Sequence, residues 1–194
     1  MKTAWIITAI AAVVAANAAE PVKRTITIHM VDHRKDGNYP LRLAERFAST
    51  ILAGVNVSVE WHSGKPAETP SPNGTTFIVE LTDRTPVDDH IGALAYALPY
   101  EGVHITLFFD RIRAMDANLP DAVLAHVLTH EITHMLEGVS RHSLTGVMKA
   151  QYTRTDVVAM RSKPLSFAKE DLILIDLGFR HRERMVHAAE AAAE

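Results

Sequence analysis

Five short segments in the first 110 residues either alternate hydrophobic and polar residues or cluster apolar and β-branched ones. Both patterns are typical of strands. Apolar residues recur at the helical period from Leu41 to Leu52, which predicts a helix that ends before Gly54. The fourth segment, GALAYAL, has the weakest pattern and is predicted to form an edge of the sheet. The predicted strands cover residues 24–31, 55–61, 76–81, 92–98 and 103–109.

A longer helix is predicted after the last strand. Asn118 is expected to cap it, and Pro120 is tolerated in its first turn. Asp121 lies near the positive end of the helix dipole. We expect the helix to end at Glu137, because Gly138 readily adopts the left-handed conformation that ends many helices. An irregular stretch over 139–152, a last helix around 167–177 and a frayed helical tail are predicted to follow.

The first 19 residues have the three-part layout of a secretory signal peptide. Lys2 provides the basic start, residues 4–16 form an apolar stretch too short to cross a bilayer, and small residues follow at 16–18. We therefore predict that residues 1–19 are a removed signal peptide. The single domain expected over residues 20–194 would then be secreted or periplasmic.

Composition restricts the chemistry of this domain. The chain of 194 residues is 47% hydrophobic and 22% charged, as is usual for a globular domain. Its net charge of -3 and scattered basic residues argue against a nucleic-acid partner. After removal of the signal peptide we expect no membrane partner either. We expect the protein to be a monomer. The absence of cysteine excludes a thiolate zinc site and a cysteine nucleophile. Any metal ion would be held by histidine or carboxylate.

The predicted long helix contains the sequence HEITH at residues 130–134. Two histidines four residues apart lie on the same face of a helix, about 6 Å apart, so both imidazoles can reach one ion. Glu131 lies about 100° around the helix, where its carboxylate can hold a water molecule bound to that ion. The motif predicts a zinc site with His130 and His134 as ligands and Glu131 as the general base.

A catalytic zinc ion takes a third protein ligand and leaves its fourth position to water. Glu137 is on the same helix face, but it lies about 10 Å along the axis from His130, too far for convergence. His142 is the first suitable donor beyond the helix and is the predicted third ligand. The alternatives for the third ligand are carboxylates. One is Glu137, and the others are Glu170 and Asp171 in the predicted last helix. A ligand from that last helix would give a gluzincin-type site.

Another histidine, His126, precedes His130 by four residues on the same helix. No glutamate accompanies this pair in the way that Glu131 accompanies the later one. A histidine on the inner face of a central helix is usually a hydrogen-bonded core residue, so we interpret His126 as structural.

Residues 130–152, HEITHMLEGVSRHSLTGVMKAQY, resemble the metzincin zinc peptidases and most closely their matrixin branch. In that branch a third histidine followed by serine leads to a methionine-containing turn. Here the third histidine comes two residues later than in the usual metzincin spacing, and Glu137 replaces a glycine. The resemblance implies zinc ligands His130, His134 and His142, general base Glu131, Met-turn residue Met148 and, in the wall of the substrate pocket, Tyr152.

The resemblance also implies an α+β, metzincin-like fold. Its parts would be a twisted, mostly parallel sheet with an antiparallel edge strand, an active-site helix, and a small C-terminal subdomain with a Met-turn and a helix. The N-terminal subdomain would comprise residues 20–138 and the C-terminal one residues 139–194. Only His104 matches the second, structural zinc site of matrixins, so we expect no such site.

The function implied is that of an exported zinc endopeptidase acting on proteins or peptides. An extended substrate would pair with the edge strand predicted over 92–98, because main-chain hydrogen bonds bind a peptide whatever its sequence. The alternatives are a catalytically inactive secreted homologue that binds zinc or peptides, and the gluzincin-type peptidase.

Overall fold

The computed structural model describes residues 23–35, 39–83, 85 and 92–193. The predicted signal peptide lies outside these residues. Among them, no helix combines the length and the apolar character that a membrane span requires. In chain order the elements are β1 (Arg24–Asp32), α1 (Tyr39–Ala53), β2 (Val57–Ser63), β3 (Thr76–Thr82), β4 (Ala95–Ala97), β5 (His104–Phe108), α2 (Phe109–Met115), α3 (Pro120–Glu137), α4 (Arg154–Met160) and α5 (Lys169–Ala193).

The five strands form one sheet in the order β2-β1-β3-β5-β4. All neighbouring pairs are parallel except β4 and β5, which run antiparallel and place the short β4 at an edge. This arrangement confirms the predicted mostly parallel sheet with an antiparallel edge strand.

The alternating pattern of the strands places most of their apolar side chains on one face of the sheet. In β1, for example, Ile26, Ile28 and Met30 are buried while the residues between them are more exposed. Helices α1 and α3 pack together, and both contribute to the same core as these strands. Every residue of α3 from Ala122 to Glu137 is buried, so the helix that carries the HEITH sequence runs through the centre of the protein.

Some local predictions were wrong. The edge strand covers three residues instead of seven, and α2 and α4 were not predicted. Asn118 does not cap α3: the N-cap is Leu119, which makes no side-chain capping bond. The carboxylate of Asp116 instead accepts hydrogen bonds from the backbone N–H groups of Asn118 and Leu119, at 3.1 and 3.4 Å. At the other end Gly138, with φ of 71°, caps the helix as predicted.

Helix α5 crosses the C-terminal end of α3 at very short range. A Cβ atom on Gly178 would lie 1.7 Å from the carbonyl oxygen of Leu136, so no larger residue fits without a shift of the backbone. One turn later, the buried guanidinium of Arg182 donates hydrogen bonds to the carbonyl oxygens of Leu136, at 3.1 Å, and Met135. A cation at this position satisfies the terminal carbonyls and interacts favourably with the helix dipole. Gly178 and Arg182 therefore fix α5 against α3.

Replacement of Gly178 by alanine is expected to lower the free energy of unfolding by about 2 kcal/mol or more, because the added methyl group forces the two helix backbones apart. Urea denaturation followed by circular dichroism measures the change. Ala189→Ser, which adds one atom at an exposed position of α5, is the control and should change stability by less than about 0.5 kcal/mol. Equal stability of the two variants would contradict the close helix contact.

Candidate metal centre and active site

Three histidines converge at the C-terminal half of α3. His130 and His134 lie one turn apart on the helix, and His142 returns to them from the segment that follows Gly138. The Nε2 atoms of His130 and His134 are 3.0 Å apart, and the potential ligand atoms of all three residues lie within 4.8 Å of one another. The structure thus brings together the three histidines that were predicted as metal ligands.

The ring orientation of the two helical histidines is set by backbone carbonyl groups. His130 Nδ1 donates to the carbonyl oxygen of Val147 at 2.8 Å, and His134 Nδ1 donates to that of Val139 at 3.0 Å. A carbonyl oxygen only accepts hydrogen bonds, so Nδ1 carries the proton in both rings and each neutral ring leaves its Nε2 lone pair free. Two lone pairs 3.0 Å apart repel each other unless a cation lies between them. The donor set therefore fits a zinc ion, which imidazole nitrogens bind tetrahedrally.

Both buried rings remain neutral in the range of pH where proteins usually function. Burial, with a contribution from the neighbouring histidines, lowers the pKa of His130 to about 3. Burial also lowers the pKa of His134 to about 4. The pKa of the more exposed His142 is lowered by its partial burial and by the charge of Arg141. Since only neutral imidazole binds metal, these shifts favour metal binding.

Glu131 lies beside the histidines with its side chain turned toward β4. Burial raises the pKa of its carboxyl group to about 8, although a hydrogen bond from the backbone N–H of Ala97 works in the opposite direction. A carboxyl group whose pKa lies near neutrality both accepts and returns protons readily. The residue predicted as the general base therefore has an environment suited to proton transfer.

A cleft of about 570 Å³ opens in front of these residues. The edge strand β4 and the residues before it form one wall, and residues 150–152 form another. Tyr152 lies in the wall with its ring 6.2 Å from that of His130. Its hydroxyl group points inward and donates to the carbonyl oxygen of Val147 at 2.6 Å, the same oxygen that orients His130. This supporting role of Val147 and Tyr152 has no signal in the local sequence.

Met148 follows in the turn that ends the histidine segment. Its side chain is fully buried and packs with Ile51 and Val147. Its carbonyl oxygen accepts a hydrogen bond of 2.7 Å from the backbone N–H of Ser143, next to His142. Gly146, with φ of 78°, allows the turn between the two residues.

His126 has a different position from the three converging histidines. Its Nδ1 donates to the carbonyl oxygen of Ala122 at 2.7 Å, and its Nε2 accepts from the backbone N–H of Leu165 at 3.1 Å. Both ring nitrogens are used within the protein, in agreement with the interpretation of His126 as a core residue that ties α3 to the segment before α5.

The carboxylates considered as alternative third ligands are not part of the histidine cluster. Glu170 is exposed on α5. Asp171 is fully buried and accepts hydrogen bonds from Arg141 and Ser143, both at 2.5 Å. Glu137 is also buried, and its closest opposite charge is the guanidinium of Arg141, with Nε 3.6 Å from Oε2.

Neither carboxylate oxygen of Glu137 has a hydrogen-bond partner among the described residues. Burial raises the pKa of this carboxyl group to about 7; Arg141 opposes the shift and Asp171 reinforces it. In the unfolded chain the pKa returns to the ordinary value of about 4.5. As the pH rises from about 4.5 to 7, the unfolded state therefore loses its proton first and the folded state becomes less stable.

Glu137→Gln is expected to remove this pH-dependent loss of folded-state stability. The stability of the variant relative to wild type should rise by up to about 3 kcal/mol between pH 4.5 and pH 7.5. Urea denaturation of both proteins in chelator, at several pH values, measures the difference. Glu60→Gln, at an exposed position of β2, is the control. A stability difference between Glu137→Gln and wild type that does not change with pH would contradict the raised pKa.

Comparison with known proteins gives matches at the level of structure. No family model and no curated protein matches the chain. The structure is similar to archaemetzincin from Methanopyrus kandleri, with a TM-score of 0.59 and 15% identity over 82% of this chain and 98% of that chain. It is also similar to metalloproteinase-II from Bacteroides fragilis, with a TM-score of 0.51 and 11% identity over 83% of this chain and 55% of that chain. The described part of the chain therefore has a metzincin-like fold, as the sequence resemblance implied.

Proposed function

We propose that the protein is a zinc-dependent endopeptidase. The observation that carries this proposal is the convergence of His130, His134 and His142 beside Glu131 in an open cleft. Three neutral imidazoles leave a fourth position of a zinc ion for water, which is the arrangement of catalytic zinc sites. The metzincin-like fold and the resemblance of residues 130–152 to matrixins support the same proposal.

The proposed mechanism assigns a role to each residue of the site. His130, His134 and His142 would hold the zinc ion, which when bound lowers the pKa of water and polarises a peptide carbonyl group. Glu131 accepts the proton of the attacking water molecule and returns it to the leaving amine. The backbone N–H of Ala97 keeps the Glu131 carboxylate turned into the cleft.

The edge strand offers backbone groups to an extended substrate. In β4, Tyr96 pairs with β5 and directs its backbone groups toward that strand, so those of Ala95 and Ala97 point away from it. The Ala97 N–H is used by Glu131, and the Ala93 carbonyl oxygen accepts a hydrogen bond of 2.6 Å from Arg111. We propose that both backbone groups of Ala95 and the carbonyl group of Ala97 pair with the peptide. Tyr152 would contact the substrate side chain.

We further propose that the protein is exported to the periplasm or beyond the cell, as a monomer that acts on proteins or peptides. The amino-terminal sequence, with its basic start, apolar stretch and small residues, supports export.

The purified protein is expected to contain about one zinc ion per chain, and His142→Ala is expected to lose most of it, because two ligands remain where three are needed. Metal analysis after dialysis against a weak chelator measures both contents. His181→Ala, at an exposed position of α5, is the control and should retain its zinc. A wild-type protein that takes up no zinc would refute the proposed site. Full zinc retention by His142→Ala would show that another residue provides the third ligand.

Glu131→Gln is expected to retain zinc and to lose at least about 100-fold in peptide hydrolysis, because the proton acceptor is gone while the ligands remain. A library of internally quenched peptides measures hydrolysis, and metal analysis shows that the site is intact. Glu60→Gln provides the control for the loss of a glutamate. Hydrolysis by Glu131→Gln at the wild-type rate would remove Glu131 from the mechanism, and a wild type that binds zinc but cleaves no peptide would favour the inactive homologue.

A further inference from the structure

His142 differs from the other two histidines in how it is held. His130 and His134 are fixed by α3 and by hydrogen bonds from Nδ1 to backbone carbonyls. His142 lies outside any helix or strand and is exposed, and its ring nitrogens have no hydrogen-bond partner among the described residues. Its ring contacts only the rings of His130 and His134 among the described aromatic groups, at centroid distances of 5.2 and 5.0 Å. No hydrogen bond holds the ring itself, so its approach to the other two histidines depends on the backbone on either side of it.

That backbone is held by one buried carboxylate. Asp171 Oδ1 accepts hydrogen bonds from Arg141 Nη2 and from Ser143 Oγ, both at 2.5 Å. Arg141 and Ser143 are the two residues that flank His142 in the chain. Asp171 Oδ2 accepts a further hydrogen bond of 2.7 Å from the backbone N–H of Ala168. The carboxylate is 0% exposed, so water does not compete for these bonds.

Further hydrogen bonds hold residues 141–143 in place. Arg141 Nη1 donates to Ser143 Oγ at 3.2 Å and reaches the carbonyl oxygen of His142 at 3.4 Å. The backbone N–H of Ser143 donates to the carbonyl oxygen of Met148 at 2.7 Å. Residues 141–143 are therefore fixed through a side chain, a hydroxyl group and the main chain at once.

The carboxylate itself has a fixed position relative to the other two ligands. Asp171 belongs to the first turn of α5, and α5 is locked to the end of α3 by Gly178 and Arg182. A continuous set of contacts thus leads from the helix of His130 and His134, through α5, to the two neighbours of His142.

From this geometry we propose that Asp171 is a positioning residue that places His142 for metal binding. The proposal rests on the proposed zinc site and deepens it: Asp171 contacts neither metal nor substrate and acts through Arg141 and Ser143. Partners behind a metal ligand typically change metal affinity by about 10- to 100-fold.

A purely structural role for Asp171 makes a different prediction. A buried ion pair that only stabilises the fold would affect zinc binding equally whether or not His142 is present. A residue that acts through His142 has no effect once His142 is removed. A double-mutant cycle on zinc affinity separates the two roles.

The experiment measures the zinc dissociation constants of wild type, Asp171→Asn, His142→Ala and the double variant by competition with a chromophoric chelator. Asp171→Asn is expected to weaken binding about tenfold or more in the wild-type background and by less than about twofold in the His142→Ala background. The visible absorption of the Co²⁺-loaded Asp171→Asn protein should shift toward that of His142→Ala. Asp176→Asn, which removes another ion-paired aspartate of α5, is the control and should leave zinc affinity unchanged.

Wild-type affinity in Asp171→Asn, or equal weakening in both backgrounds, would overturn the proposal while leaving the proposed zinc site intact. A wild-type protein that binds no zinc would overturn the proposed function together with it. If Asp171→Asn does not fold, Ser143→Ala takes its place in the cycle, because it removes one of the same two bonds. A loss of zinc affinity of about threefold or more that vanishes without His142 is then expected, and no loss would overturn the proposal.

Discussion

The side chains of His130, Glu131 and His134 lie on a helix that is buried along most of its length, and this constraint shapes the rest of the structure. Every residue of α3 from Ala122 to Glu137 is buried, and a buried polar group without a partner costs about 1 to 3 kcal/mol. The partners therefore come from the elements around the helix. Carbonyl groups of the segment after α3 orient the two helical imidazoles, and β4 provides an N–H for Glu131. The surrounding chain must close over α3 for the helix to be stable.

Local sequence patterns predicted much of this arrangement. The alternation in the strands and the proline and glycine signals at the ends of α3 depend on neighbouring residues alone, so the strands and the central helix followed from them. The mostly parallel order of the sheet was implied by the resemblance to the metzincins. His142 was predicted because a third side chain of α3 cannot converge with those of His130 and His134 on one ion. The short helix α4 had a signal that went unused: Thr153 and Asp156 form a capping box at its start.

Other features depend on contacts between residues far apart in the chain. Arg182 caps a helix that ends 45 positions earlier, and Asp171 bonds to residues 28 and 30 positions away. Nothing near Gly178 in the sequence indicates that a carbonyl oxygen of α3 lies against it. Asp116, whose carboxylate accepts hydrogen bonds from the backbone N–H groups of Asn118 and Leu119 just before α3, also pairs with Arg161 from beyond α4. The sequence shows local patterns, but it does not show the contacts between distant residues that decide which of these patterns is realised in the fold.

The same burial makes metal binding and folding interdependent. The folded chain holds the Nε2 atoms of His130 and His134 unprotonated and 3.0 Å apart, an arrangement that is unfavourable without a cation. The unfolded chain separates these rings and binds protons at ordinary pKa values, so a metal ion binds the folded state in preference. Metal binding would then add stability in proportion to the logarithm of the metal concentration. The cost of burying the ligands would thus be offset by a bound metal ion, with α5 keeping His142 in place.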